Sequence, residues 1–170
     1  HARPAVPHAQ NDLFARTVEL LRARVSGVSI TTDVLTGFPG EGEGEFQETY
    51  RFCQEVRFSG MHVFPYSVRP ETSAAYFNEE IAPGTRGHRV EMLLGLSQEH
   101  ARGFRRSLLG QVRPVLWEHH RVREGGRWLW SGLTDNYVRV LAEDPRPLGN
   151  TITNTRQVGE SRGSLYGLVV

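Results

Sequence analysis

The chain contains no lysine; all 20 of its basic residues are arginine. It has a single cysteine, Cys53, among 170 residues. One thiol cannot close an internal disulfide, and alone it cannot supply a Cys-rich zinc or iron–sulfur site. No apolar run is long enough for a membrane span. The N-terminus lacks a basic start followed by an apolar block, so no signal peptide is expected. A soluble, cytoplasmic protein is the default expectation. Several catalytic signatures are also missing: no G-x-S-x-G elbow, no Walker A phosphate loop, no H-E-x-x-H and no dinucleotide G-x-G-x-x-G.

What is present is unevenly spread. The formal net charge is only +1. Residues 1–100 carry nine arginines against 13 carboxylates, whereas residues 101–170 carry 11 against six. An acidic front and a basic rear suggest two units, the rear one suited to a polyanion or simply to a solvated surface. The hydrophobic fraction, 38%, supports a core.

Residues 1–11, HARPAVPHAQN, show no helical or strand period and are expected to be irregular. Asp12 is placed to cap a helix over about 13–25, with Phe14, Val18, Leu21 and Val25 on one face. Residues 28–35 alternate. Val28, Ile30, Thr32 and Val34 share one side; Ser29, Thr31, Asp33 and Leu35 share the other. The corner Gly37-Phe38-Pro39-Gly40-Glu41 follows, then a helix over 43–58 with Phe46, Tyr50 and Cys53 on its stripe. Residues 61–66, MHVFPY, read as a short strand and 67–75 as a loop. A long helix is expected from Arg86 to Arg106, with Val90, Leu93, Ser97, Ala101 and Phe104 inward. Strands alternating with helices predict an α/β unit with parallel strands over 12–106. After Gly110 the texture changes. Residues 111–118, 127–142 and 163–170 are rich in Val, Leu, Trp and Tyr, and turn signals separate them. Residues 107–170 therefore predict a small β-barrel.

Ligands in α/β folds bind at the carboxyl ends of strands. The Gly37–Glu41 corner and Pro65-Tyr66-Ser67 both fall there. Glycine permits close approach to a ligand, yet the same corner could be a plain strand–helix turn. Adjacent His119 and His120 point opposite ways on a strand and make a poor metal pair. Cys53 reads as a packing residue. In LTDNYVRV, Asp135, Tyr137 and Arg139 are expected on one strand face. With Arg121, Arg123, Arg127, Trp128 and Trp130 upstream, that face offers base stacking and phosphate pairing, unless the tryptophans fill the core.

Three segments together carry a resemblance. TTDVLTGFPGEGEGEFQETYRFCQEVRFSGMHVFPYSVRP is very similar to the late radical-SAM core of the tRNA methylthiotransferases. VLWE, GLTDNYVRVLA and the closing GSLYGLV resemble their C-terminal TRAM domain. The wording HVFPYS and GLTDNYVRV is most similar to the branch that modifies N6-threonylcarbamoyladenosine beside the anticodon. The resemblance implies a C-terminal portion of a radical-SAM partial (β/α) barrel followed by a TRAM, OB-like barrel. It implies S-adenosylmethionine and two 4Fe-4S clusters in the full-length enzyme, with tRNA as partner and missing N-terminal domains of the same polypeptide. It implies that Asp33, Gly37, Phe38, Pro39, Gly40 and Glu41 line or shape the S-adenosylmethionine side. Tyr66, Ser67 and Arg69 would lie nearer substrate, and Arg127, Trp128, Tyr137 and Arg139 would touch RNA. The family's C-x-x-x-C-x-x-C cluster motif is absent, so no cluster and no catalytic residue is expected in this chain alone. A non-catalytic RNA-binding module is the alternative. The family usually reads near YSPRPGTPA, whereas this chain has Val68, Glu71 and Ser73 in that loop. Gly42 stands where Thr is common.

Overall fold

The computed structural model describes residues 8–77 and 79–170. They divide into two compact units, one ending at Ala101 and one beginning at Arg102. An α/β unit is followed by a small closed β-barrel, the fold class that the sequence predicts.

The first helix, α1 (His8–Arg24), starts earlier than its expected cap. Residues 8–11 are helical, which corrects the irregular segment; residues 1–7 lie outside the described residues. Ala9 and Gln10 favour helix, and no proline interrupts the run after His8. Of the expected stripe only Val18 is buried; Phe14, Leu21 and Val25 are exposed.

Strand β1 (Thr31–Thr36) begins three residues later than expected, and β2 is Gly60–Pro65. They pair in parallel, with Asp33 opposite His62 and Leu35 opposite Phe64. The connection between them is α2 (Glu43–Val56), which a parallel pair requires. Val34 and Thr36 turn into the protein, while Thr31, Asp33 and Leu35 are exposed on the opposite face. The long helix α3 (Pro83–Ser107) supplies Leu93 and Leu96 to a core shared with Val34, Phe46, Cys53, Phe58 and Met61. Ser97 of α3 explains its place on an otherwise apolar stripe. Its hydroxyl accepts from the Met61 N–H at 2.9 Å and donates to the Met61 carbonyl at 3.3 Å. A side chain thus satisfies backbone groups that a neighbouring strand would otherwise take.

The barrel comprises β3 (Val112–Val122), β4 (Trp128–Thr134), β5 (Arg139–Glu143), β6 (Ile152–Ser161) and β7 (Ser164–Val169). It closes in the order β3-β4-β5-β7-β6, through antiparallel β3–β6 and a short parallel β5–β7 pairing. Closure leaves no free edge. Val115, Trp117, Trp130, Val140 and Leu165 fill the interior. Strand β6 was not foreseen, because its inward residues Thr155 and Gln157 are polar although fully buried. Trp117 donates from Nε1 to Thr153 Oγ1 at 2.8 Å, and the Thr153 and Thr155 hydroxyls lie 3.3 Å apart. Gln157 donates to the Thr155 carbonyl at 3.0 Å. These bonds offset much of the cost of burying polar groups, although Gln157 Oε1 has no partner among the described residues.

Trp117 faces Gly132 across β3–β4. A Cβ on Gly132 would lie 2.8 Å from Val115 Cγ1 and 2.9 Å from Trp117 Cε3. Gly132→Ala is therefore expected to destabilise the barrel by about 1–3 kcal/mol through overpacking. All three tryptophans lie in this unit, so urea unfolding followed by tryptophan fluorescence reads it. An unchanged midpoint would refute the close packing.

Candidate functional site

At the carboxyl ends of β1 and β2 the chain makes two linked turns. The Tyr66 N–H donates to the Thr36 carbonyl at 2.8 Å, so the strand ends stay paired as they leave the sheet. Gly37 and Gly40 both have positive φ, +78° and +79°. A side chain at either would be strained. The space beside Gly37 is filled from within: a Cβ there would meet Cγ of Arg86 at 2.7 Å and Cδ at 2.8 Å. The stem of Arg86 lies directly across the glycine.

Glu41 turns back into the corner. Its carboxylate accepts from Thr36 Oγ1 at 3.0 Å and from the Gly37 N–H at 2.9 Å. Arg89 of α3, only 4% exposed, donates from Nη1 to Glu41 Oε1 at 2.8 Å and to the Glu41 carbonyl at 2.9 Å. Its other nitrogen, Nη2, reaches Glu43 Oε2 at 3.3 Å, and the guanidinium lies 5.0 Å from the centre of the Phe46 ring. Glu41 therefore shapes the corner with its carboxylate engaged on three sides. Pro39 is buried and Phe38 is half-buried. The Phe38 ring packs edgewise on Tyr66 at 5.0 Å and on Phe77 at 6.0 Å.

Two open clefts flank Tyr66 and Ser67. One, of about 550 Å³, is walled by Leu35, Phe64, Pro65, Arg69, Thr72 and Ala74. The other, of about 310 Å³, is walled by Gly37, Pro39, Val68, Glu80, Ile81 and Arg86. Both include Tyr66 and Ser67. The buried Tyr66 hydroxyl has no hydrogen-bond partner. Of the nine residues that the resemblance assigns to cofactor and substrate, Gly37, Pro39, Tyr66, Ser67 and Arg69 border these clefts. Asp33 lies farther back on the exposed strand face. Arg86 and Glu80 were missed, because neither falls in a motif. Glu71, where the family carries glycine, has φ +68°. That is the left-handed region, which costs a non-glycine residue about 1 kcal/mol.

A third groove, of about 480 Å³, lies between α1 and α2 and includes none of the expected residues. Cys53 is 3% exposed, and burial pushes its thiol up to about 11. It has neither the exposure nor the thiolate character of a cluster ligand. The residues of this chain do not fit an iron–sulfur cluster. Among the described residues no group of three His, Cys, Asp or Glu could hold a metal ion. No helix among them is long and apolar enough to cross a membrane.

On the barrel the expected RNA-contacting residues are not all brought together. Tyr137 sits in the β4–β5 turn with φ +63°, not on a strand face, and is 82% exposed. The reason is the Thr134 hydroxyl, which accepts from the Val138 N–H at 2.8 Å and closes the turn. Asp135 is engaged by Arg113, with two bonds of 2.8 and 3.0 Å. Arg139 pairs with Glu118 at 2.5 Å and Arg127 with Glu143 at 2.9 Å. Trp128 is half-buried and stacks near His120 and Trp130, while Trp117 and Trp130 are core. His119 and His120 are both exposed on a strand that is bulged after Trp117.

Removing Arg89 leaves Glu41 without its cation in a site that is nearly dry. Arg89→Ala is expected to destabilise the α/β unit by about 3 kcal/mol. Cys53 reports on this unit, since its buried thiol should label only on opening. At pH 8 the variant should label faster than the parent at matched urea concentrations. Equal rates would remove Arg89 from its role in the corner.

No family model matches the chain. Among curated proteins it is 35% identical over 130 residues to the threonylcarbamoyladenosine tRNA methylthiotransferase MtaB of Bacillus subtilis (strain 168), covering 76% of this chain and 29% of that protein. The corresponding protein of Aquifex aeolicus is 34% identical over 125 residues, 73% of this chain and 28% of that protein. A tRNA-2-methylthio-N(6)-dimethylallyladenosine synthase of Sulfurovum sp. (strain NBC37-1) is 33% identical over 157 residues, 92% of this chain and 36% of that protein. The chain spans about a third of the length of the curated relatives it matches. Over most of its own length, the chain is homologous to tRNA methylthiotransferases.

Proposed function

We propose that this chain forms the C-terminal part of an enzyme that methylthiolates an N6-substituted adenosine in tRNA. The observation that supports the reading is the convergence at one mouth of two strand ends that lie almost 30 residues apart in the chain. Gly37 and Pro39 from the first strand end, and Tyr66, Ser67 and Arg69 from the second, border adjoining clefts. S-adenosylmethionine, when bound, supplies the radical and the methyl group of this chemistry. Its binding fits the exposed face of β1, where Asp33, without a side-chain partner among the described residues, can accept from hydroxyl or ammonium groups and Leu35 offers apolar surface. The Arg89–Glu41 clamp holds the Gly37 corner in one shape, so that face is preorganised at its end. The apolar cleft beside Phe64 and Tyr66 excludes water from a planar base, and Arg69 places a positive charge at its rim. The clusters that such chemistry needs would come from thiolates outside these 170 residues.

Threonylcarbamoyladenosine is our preferred target over dimethylallyladenosine. The wording of HVFPYS and GLTDNYVRV supports it, as does an arginine at the substrate cleft, which suits a carboxylated substituent. The barrel is proposed as a TRAM-type RNA grip. A second reading, an RNA-binding module without catalysis, rests on Cys53: the one cysteine is buried and protonated.

The open reading frame that contains this chain should be expressed in a host lacking its own tRNA methylthiotransferases. Mass spectrometry of the tRNA nucleosides should then show 2-methylthio-threonylcarbamoyladenosine. The dimethylallyl derivative instead would reassign the branch, and neither product would favour the binding module. For the barrel, Tyr137→Ala with Arg139→Ala should weaken tRNA binding by more than about 1 kcal/mol, the scale of one stacking contact. Unchanged affinity with the fold intact would move the RNA face elsewhere.

A further inference from the structure

Arg86 and Arg69 stand on opposite sides of Tyr66–Ser67, one in each cleft. Neither has an acidic partner among the described residues. Arg89, three residues along α3, is held by Glu41 and Glu43 through both of its terminal nitrogens. Among the described residues the one side-chain bond of Arg86 runs from Nη1 to the Tyr66 carbonyl, at 3.3 Å. One carbonyl satisfies one of its five donors. The group is nevertheless fixed in place, because its stem occupies the space left by the missing side chain of Gly37. A guanidinium with a held stem, a fixed orientation and open donors is built for an anion. The same cleft is also walled by Glu80, exposed and without a cation partner among the described residues. A carboxylate there is an acceptor for sugar hydroxyls. The neighbouring cleft is mainly apolar, with Leu35, Phe64 and the Tyr66 ring on its walls.

We propose that the two clefts form one nucleotide subsite astride Tyr66–Ser67. The base lies in the larger apolar cleft, the ribose meets Glu80 at the divide, and Arg86 binds the phosphate attached to that nucleoside. This rests on the reading that the substrate is a nucleoside within RNA, and it assigns the backbone contact to Arg86 rather than to amides of the glycine corner. Gly37 then serves the ligand indirectly, by giving the arginine stem its place. The Tyr66 hydroxyl, buried and without a partner among the described residues, lies beneath the divide rather than open to it.

The test uses the whole 170-residue chain with adenosine and with adenosine 5′- and 3′-monophosphates, by calorimetry or by shifts of amide resonances. One of the monophosphates should bind about tenfold or more tightly than adenosine, the scale of one charge-assisted contact. Arg86→Gln should bring that ratio to about one, and Arg86→Lys should leave part of it, since a point charge replaces the fork. Arg156→Gln, an exposed arginine of the barrel, should leave the ratio unchanged. Equal binding of nucleoside and nucleotide, a ratio that survives Arg86→Gln, or no binding of either ligand would overturn the subsite. Failure of the RNA reading looks different: an Arg86-dependent phosphate preference would persist while tRNA from the expression host stayed unmodified.

Discussion

The α/β unit turns on one buried ion pair. Arg89 and Glu41 come from different elements 48 residues apart in sequence, and each is more than four-fifths buried. Burying two charges is costly unless further hydrogen bonds complete them. Here they do: Glu41 also receives the Thr36 hydroxyl and the Gly37 amide, and Arg89 also reaches the Glu41 carbonyl and Glu43. The pair therefore ties the end of β1, the turn after it, the start of α2 and the first third of α3 into one joint.

A consequence concerns the glycines of the corner. Read as a motif, Gly37-Phe38-Pro39-Gly40-Glu41 suggests backbone amides presented to a ligand. In the structure the Gly37 amide points to Glu41 and the vacant side-chain position holds Arg86. The Gly40 amide donates to the Glu79 carbonyl at 3.0 Å. The glycines are needed for positive φ and for close approach, as their chemistry requires, but what approaches is protein. The amides are taken up inside the protein, and the corner's geometry positions an arginine instead.

The alternation of residues 28–35 and 61–66 foretold two strands, because side-chain period two survives wherever one face packs on helices, and the intervening helix foretold that they pair in parallel. The periodic stripe of α3 foretold Leu93 and Ser97 as inward. Other features had no local signal. Strand β6 packs threonine and glutamine inward, so polarity hid its period; only its run of β-branched Ile152, Thr153 and Thr155 pointed to a strand. Tyr137 looked like a strand residue because Asp135, Tyr137 and Arg139 alternate, yet a side-chain bond from Thr134 decides the turn. Arg86 lies 49 residues beyond Gly37, and a long-range stem-on-glycine contact leaves no trace in spacing. The α1 stripe failed in the other direction: a correct apolar period over-predicted burial, since Phe14, Leu21 and Val25 remain open.

The absence of lysine gives these pairings their character. Arginine forms planar, two-pronged bonds, and in this chain carboxylates take up many of them. Arg113 grips Asp135, Arg146 grips Asp144, Arg105 and Arg106 converge on Glu160, and Arg127 and Arg123 share Glu143. The basic excess of residues 101–170 is therefore not spread evenly over the surface. It is concentrated in arginines left over after pairing, among them Arg121, Arg156 and Arg162, which are exposed and without an ion pair among the described residues. Two of the four residues first assigned to RNA contact, Arg127 and Arg139, belong to the paired set. An incoming phosphate must compete with Glu143 and Glu118 for them, whereas it meets no such rival at the leftover arginines. If the barrel grips a polyanion, salt dependence should follow the unpaired set. Composition alone sees 11 equivalent arginines in this segment; the pairing geometry separates those that hold the fold from those free to hold a partner.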